Sequence, residues 1–240
     1  MEDRRYIHGT GKSEQERLVR QARFLQEVLL DGFQPSDGER VLEIGCGVGA
    51  VLEQIHGAHP GLQLAGVDIS EAQINRCRER LGSLGIDADL RLADGARLPW
   101  PDASFDRVVF VWVIEHLPEP GPVLLEALRV LRPGGTVHLT ETDYATLRVS
   151  PPDPHIQALF AAFVAHFNRF GDAHVGPKLG PLLERLGFQE VDNRIVGVHH
   201  WCPSGREAVR GFGSYLLEFI RPEFDVLVAQ AGGNGPVAAL

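Results

Sequence analysis

Apolar and polar positions alternate along this chain with two different periods, and the changes of period mark its elements. Over residues 13–31, Leu18, Ala22, Leu25 and Leu29 recur at helical spacing, and Ser13 followed by Glu16 reads as a capping box at the helix start. After the turn signal QPSDGER the text becomes strand-like. VLEIG (41–45), LQLAGVDIS (62–70), DADLRLAD (87–94), FDRVVFVWV (105–113) and TVHLTETD (136–143) are short, β-branched and apolar. Helical stretches separate several of them: one opens at Ser70, which pairs with Gln73 as a second capping box, and another is PGPVLLEALRVL (120–131), with proline near its start. FDRVVFVWV has no polar alternation, as expected of a strand covered on both faces. Strands alternating with helices imply parallel pairing through right-handed crossovers, so residues up to 143 predict an open, doubly wound α/β sheet with helices on both faces.

Beyond Tyr144 the pattern loosens. HIQALFAAFVAHFNRF (155–170) predicts an amphipathic helix carrying Ile156, Leu159, Phe160, Phe163, Val164 and Phe167 on one broad face. GPKLGPLLERLGF predicts another helix, residues 188–200 a sixth strand, and SGREAVRGFGSYLLEFI a last helix. VLVAQ (226–230) is the one stretch available for a seventh strand. The expected layout is a single domain: an N-terminal arm and helix (1–31), a ligand-binding core (36–143), cap helices (144–187) and a C-terminal strand and helix (188–240).

Composition narrows the function. Lys plus Arg number 23 against 32 Asp plus Glu, a formal net charge of −9. Nucleic-acid enzymes carry a basic face for phosphate, so this balance favours a neutral, cationic or apolar small substrate. No apolar run is long enough to span a bilayer, and the opening MEDRRYIHGT has no apolar core, which leads us to expect a cytoplasmic protein that engages no membrane. Cys46, Cys77 and Cys202 form no CxxC pair, which argues against a disulfide framework or structural zinc; TETD has no second acid–amide cluster, so no metal is expected.

The chemistry concentrates where strands end. The first strand runs into Gly45-Cys46-Gly47-Val48-Gly49 and a helix starts directly after; glycines let the backbone turn sharply and approach a ligand. The spacing is not the GxGxxG of a dinucleotide fingerprint. Asp68 ends the second strand, where a carboxylate can accept from both hydroxyls of a ribose. Asp94 ends the third, where it can accept from an exocyclic amine or simply cap its own turn. Glu43 lies inside the first strand, where an acid needs a partner: a ligand ammonium or amides of the adjacent loop.

In order and spacing, VLEIGCGVG, GVDIS, ADGARLPWPDASFDRVVFVWVIEHLPEP and LRPGG resemble the class I S-adenosylmethionine-dependent methyltransferases with a Rossmann-like sheet, and within them the small-molecule and natural-product enzymes. The resemblance covers about residues 40–143. It implies S-adenosylmethionine as methyl donor and S-adenosylhomocysteine as product. Gly45, Cys46 and Gly47 would flank the methionine moiety, and Glu43 would support that end. Asp68 would hold the ribose, with Ile69 against the adenine ring; Asp94, Gly95 and Ala96 would read the adenine edge. The backbone near Val111 and Trp112 would meet the amino-acid portion.

On the acceptor side, His116, in IEHL just past the fourth strand, is expected to line the pocket or contact the cofactor, and is the candidate base, because imidazole titrates in the right range. Tyr6 and His8, in YIHGT, are candidates for a lid over the cofactor and acceptor. Phe160, Phe163 and Phe167 are expected as a substrate roof, and His199 as a residue facing the substrate. Two other functions use the same sheet: a nicotinamide-dependent oxidoreductase, which the glycine spacing and the LADG motif disfavour, and a catalytically silent cofactor-binding scaffold.

Overall fold

The structure, a computed structural model, describes residues 11–199 and 206–220. Its sheet has five parallel strands: β1 (Arg40–Ile44), β2 (Gln63–Asp68), β3 (Ala88–Leu92), β4 (Phe105–Val111) and β5 (Leu131–Thr140), in the order β3-β2-β1-β4-β5. The order reverses between β1 and β4, so the crevice of a doubly wound sheet opens at the carboxyl ends of those two strands. The helices are α1 (Lys12–Phe24), α2 (Gln26–Leu29), α3 (Ala50–Ala58), α4 (Glu71–Ser83), α5 (Gly121–Val130), α6 (Pro154–Phe167), α7 (Gly176–Arg185) and α8 (Arg206–Ile220).

Period 2 along the strands sorts side chains onto two faces. Val41, Leu64, Val109 and Val111 join one cluster with Leu52 and Ile55 of α3 and Ile74, Cys77 and Leu81 of α4. Leu42, Ile44, Ala65, Val67, Val108 and Phe110 point to the opposite face, against Leu124, Ala127 and Val130 of α5 and Leu179 and Leu183 of α7. Both faces are covered, which explains the unbroken apolar run of β4.

Three sequence expectations change. The first helix starts at Lys12 with Gly11 as its cap, so Ser13 lies inside the helix and not at the cap position that a Ser13–Glu16 capping box requires. Only half of the second box forms: Ser70 Oγ accepts from the Gln73 amide at 3.4 Å, while the buried Gln73 Oε1 finds no partner. Residues 188–199 form no strand. Their β-like text is answered by other contacts: Arg194 pairs with Asp31 at 2.7 Å and Asn193 Nδ2 donates to the Gly176 carbonyl at 3.1 Å, holding the segment against the β1 approach and α7 rather than in a ladder. VLVAQ (226–230) lies outside the described residues.

The aromatic helix carries a small core of its own. Phe163 and Phe167 of α6 are buried with Leu159, Ala162 and Ala173, and both rings pack against Tyr144, with centroids 5.1 and 5.4 Å away. Phe160 is half-buried and outside that cluster. The helix is therefore anchored by its own small core, and it borders the strand ends where Phe163 and Phe167 meet Tyr144 and Phe167 meets His116. Phe163→Ala should cost about 3–5 kcal/mol, the usual range for emptying a buried phenylalanine site. Denaturant unfolding measures it, and a loss below 1 kcal/mol would show that Phe163 is not a core residue.

Candidate active site at the carboxyl ends of the strands

The glycine loop is stitched to the neighbouring strand. The Gly45 and Cys46 amides both donate to the Val67 carbonyl, at 2.8 and 3.0 Å. The Gly47 amide donates to Asp68 Oδ2 at 2.9 Å, and the Ser70 amide to Asp68 Oδ1 at 2.8 Å. One carboxylate thus ties β1's loop to the start of α4 and keeps lone pairs on both oxygens for further donors. Burial nonetheless raises the Asp68 carboxyl above its ordinary value, against the lowering by these amides.

Positive φ is required through this loop: +75° at Gly45, +49° at Gly47 and +75° at Gly49. At Gly45 the reason is contact, since a Cβ there would sit 2.5 Å from Val113 Cγ2, just past β4. At Gly47 the reason is opening: an added Cβ would meet only Leu18 Cδ1, at 3.9 Å. Between Asp68 and the Ser70 cap, Ile69 is 62 % exposed, a large apolar side chain left bare at a strand end. Asp94 is exposed, with Oδ1 accepting from the Ala96 amide at 2.9 Å and its carbonyl from Arg97 at 2.8 Å. The turn-capping role foreseen for Asp94 is thus present. Gly95 packs under it, where a Cβ would lie 3.1 Å from Ile44. Val111 is buried at the end of β4, and Trp112 takes a left-handed φ of +54°, its amide bound to the Thr140 carbonyl at 2.9 Å. A positive φ at an aromatic residue is strained and turns the chain sharply back toward Gly45.

Glu43 lies beneath this surface rather than on it. It is 2 % exposed, and its Oε2 has no hydrogen-bond partner. In register it stands level with Gly66 of β2 and Val109 of β4, beside Cys77 of α4. The Leu52 amide, third residue of α3, favours its charged form, but burial and the nearby Cys77 and Asp68 raise its pKa well above the ordinary range. Of the partners expected for this acid, the first turn of α3, whose Gly49 cap offers no side chain, supplies an amide to one oxygen.

The acceptor side contains a group of residues that the sequence reading missed. The 3-10 turn Ile114–His116 follows β4, and a second, Tyr144–Thr146, follows β5. Glu141 accepts three amides of the first turn: Val113 at 3.1 Å and Ile114 at 2.8 Å on Oε1, and Glu115 at 3.1 Å on Oε2. Glu115, 2 % exposed, reaches back: its Oε2 accepts from the Thr142 amide at 3.1 Å and its Oε1 from the Tyr144 hydroxyl at 3.3 Å. His116 Nε2 stands 3.6 Å from Glu115 Oε1, and its ring lies 5.3 Å from that of Phe167. From α1, the buried Arg17 approaches this group while ion-paired to Glu14 at 2.6 Å. Burial raises both carboxyls: Glu141 to about 7, and Glu115 well above the carboxylate range, with the charge of Glu141 adding to its rise. Burial, then the positive charge of Arg17, pushes His116 down to about 4, so the ring is neutral at physiological pH.

Of the residues singled out in the sequence, the structure brings Gly45, Cys46, Gly47, Asp68, Ile69, Val111, Trp112 and His116 to one end of the sheet, with Asp94, Gly95 and Ala96 at the end of the neighbouring β3. His199 is exposed in the irregular segment after α7. Tyr6 and His8 lie outside the described residues. The signals that could have exposed the missed group were modest: an acid beside His116, another acid at the end of β5, and Glu14, Arg17 and Gln21 sharing one face of a helix whose other residues read as its apolar stripe.

Comparison with known proteins agrees with this geometry. Residues 42–139 match the family described as "Methyltransferase domain". The chain is 30 % identical over 185 residues to a 24-methylenesterol C-methyltransferase 2 of Oryza sativa subsp. japonica, covering 73 % of this chain and 49 % of the relative. It is 35 % identical over 183 residues to a probable S-adenosylmethionine-dependent methyltransferase of Mycolicibacterium smegmatis, covering 75 % and 62 %. The chain spans about half the length of the curated relatives it matches. In fold it is similar to a SAM-dependent methyltransferase from Aquifex aeolicus, with a TM-score of 0.57 at 21 % identity over 81 % of this chain and 93 % of that one. Residues 42–139 thus match a methyltransferase domain, on a sheet of the fold that the SAM-dependent methyltransferase from Aquifex aeolicus shares.

Proposed function

We propose that this protein transfers a methyl group from S-adenosylmethionine to a small-molecule acceptor, at the strand ends where Asp68, Gly47 and His116 lie. The observation that carries the reading is Asp68: a carboxylate pinned by the Gly47 and Ser70 amides, with spare lone pairs, beside the bare side chain of Ile69. That pairing of a fixed acceptor with an exposed apolar face suits a ribose and its adenine. In this reading Gly45, Cys46 and Gly47 flank the methionine moiety, and the open space above Gly47 admits it. Asp94, Gly95 and Ala96 line the adenine edge, and the strained turn at Trp112 presents backbone to the amino-acid portion. Glu43 supports the loop from below.

When bound, S-adenosylmethionine supplies a methyl group already activated by its sulfonium. The protein's task is then to align the acceptor and keep water away; alignment alone is worth about 7–11 kcal/mol in favourable intramolecular systems. His116, Tyr144 and the Phe163–Phe167 edge form the described wall on the acceptor side, with Tyr6 and His8 as the proposed lid. An aromatic wall and a net charge of −9 suit an apolar or cationic acceptor better than a polyanion. The curated relative from Oryza sativa is named for a sterol, an apolar acceptor of this kind. Transfer of labelled methyl from S-adenosylmethionine into a metabolite extract tests the activity; a protein that binds the cofactor tightly but labels nothing would be a silent scaffold instead.

Two variants test the cofactor residues. Asp68→Ala should weaken S-adenosylhomocysteine binding by about 1.5–3 kcal/mol, the worth of hydrogen bonds to a charged group. An unchanged dissociation constant in calorimetry would remove Asp68 from the site. Gly47→Val should abolish binding, because a branched side chain would fill the open space and resist the left-handed φ of +49°. Normal affinity in that variant would reduce the loop to a plain turn.

A further inference from the structure

The two carboxyls behind His116 are not equivalent. Glu141 accepts three backbone N–H groups and makes no other described contact, a setting that favours its ionised form. Glu115 accepts only one amide, on Oε2, so that oxygen must stay an acceptor. Its Oε1 is therefore the oxygen free to carry hydrogen. Around Oε1 stand the Tyr144 hydroxyl, which donates to it at 3.3 Å, and His116 Nε2 at 3.6 Å.

The charged and titratable groups facing this pair among the described residues are His116 on its own turn, Tyr144 on the turn after β5, and Arg17 of α1 with its partner Glu14. The cation among these close to Glu115, Arg17, favours its ionised form through its charge, but its guanidinium is bonded to Glu14 and to Gln21 Oε1 at 2.5 Å and not to Glu115. Two carboxylates in one buried crossing, without a dedicated counter-ion for each, cannot both stay ionised.

We propose that Glu115 works as a carboxylic acid, a positioning residue whose Oε1 hydrogen faces His116 Nε2 and so fixes the imidazole as the tautomer carrying its hydrogen on Nδ1. With Nε2 engaged by the Glu115 hydrogen, His116 has no bare nitrogen left to act as the base that deprotonates the methyl acceptor. This rests on the acceptor side of the site being the one argued above, but the tests below read the protein alone and stand apart from methyl transfer. The acceptor class it fits is one whose nucleophile needs no deprotonation by this residue.

The raised carboxyl of Glu115 gives a pH signature with a definite sign. A group that binds its proton more tightly when folded contributes stability that is complete below its unfolded value and is lost as pH rises through its folded one. Wild-type stability should therefore fall on the alkaline side, through and above neutrality. Glu115→Gln mimics the acid, with its carbonyl taking the Thr142 amide and its NH2 facing His116. It should melt within about 2 °C of the wild type at pH 5 and above it at pH 8.5, with a flatter pH dependence. In wild type labelled with carboxyl-13C glutamate, Glu43, Glu115 and Glu141 should titrate apart from the surface acids, and the resonance that Glu115→Gln removes should still be protonated at pH 6.5. Nitrogen-15 shifts of His116 should show Nε2 as the bare nitrogen over the same range. The proposal is overturned if the resonance that Glu115→Gln removes ionises between pH 4 and 5, if it ionises at a lower pH than the one Glu141→Gln removes, or if His116 carries its hydrogen on Nε2. Should Glu115→Gln fail to fold, removal of the other buried signals by Glu43→Gln and Glu141→Gln assigns the remaining one to Glu115.

Discussion

The amide of Gly47 bound to the carboxylate of Asp68 is the contact on which the arrangement of the site depends. It joins the loop leaving β1 to the end of β2, across a junction already stitched by two bonds to the Val67 carbonyl. Because β1 and β4 flank the point where the sheet order reverses, this junction forms one wall of the crevice and the turn after β4 forms the other. Val113 closes the gap by occupying the space that a side chain at Gly45 would need. The loop's three left-handed glycines are thus placed by contacts on both sides, and not by the loop alone.

The same device recurs along the strand ends: a buried or half-buried acid holding backbone amides. Asp68 holds Gly47 and Ser70, Glu141 holds three amides after β4, Glu115 holds Thr142 after β5, and Glu43 lies against the first turn of α3. Each acid answers amides that the end of a strand or the start of a helix leaves without partners. Burial raises all four carboxyls. The surface acids behave in the opposite way. Glu39, paired with Arg107, and Glu126, paired with Arg129, are held below their ordinary values by those guanidinium groups. Acidification therefore weakens the surface pairs, while alkaline pH weakens the site. The site and its scaffold are electrostatically distinct parts of one sheet.

A neutral histidine on the acceptor side follows from that distinction. His116 stands between a guanidinium and a buried carboxyl, stacked near Phe167, and water that would stabilise an imidazolium is kept out. The aromatic cluster of Tyr144, Phe163 and Phe167 contributes twice, as the core of α6 and as the boundary that dries the turns holding Glu115 and Glu141. The structure thus trades a conventional titrating histidine for a rigid polar wall.

Much of this was determined by the sequence itself. Strand and helix periods placed the first four strands closely, because a strand buried on both faces must be continuously apolar and a crossover helix must be amphipathic, but read the fifth as 136–143 where the strand runs Leu131–Thr140, its polar RPGG text having the look of a turn. The glycine loop, Asp68 and Asp94 were legible because a carboxylate at a strand end has few other uses. What only the tertiary structure decided was pairing across distance. Nothing local says that Glu115 and Glu141, 26 positions apart, would cross at adjacent strand ends, since that depends on β4 and β5 being neighbours in register. Nor does the text say that Glu43 would face α3 from below, that Arg17 would turn inward toward His116, or that the alternating residues 188–199 would be held by Asp31 and Gly176 in place of a ladder. Local pattern reports what a residue prefers to cover; which buried charge it will meet is settled only when distant strands are brought side by side.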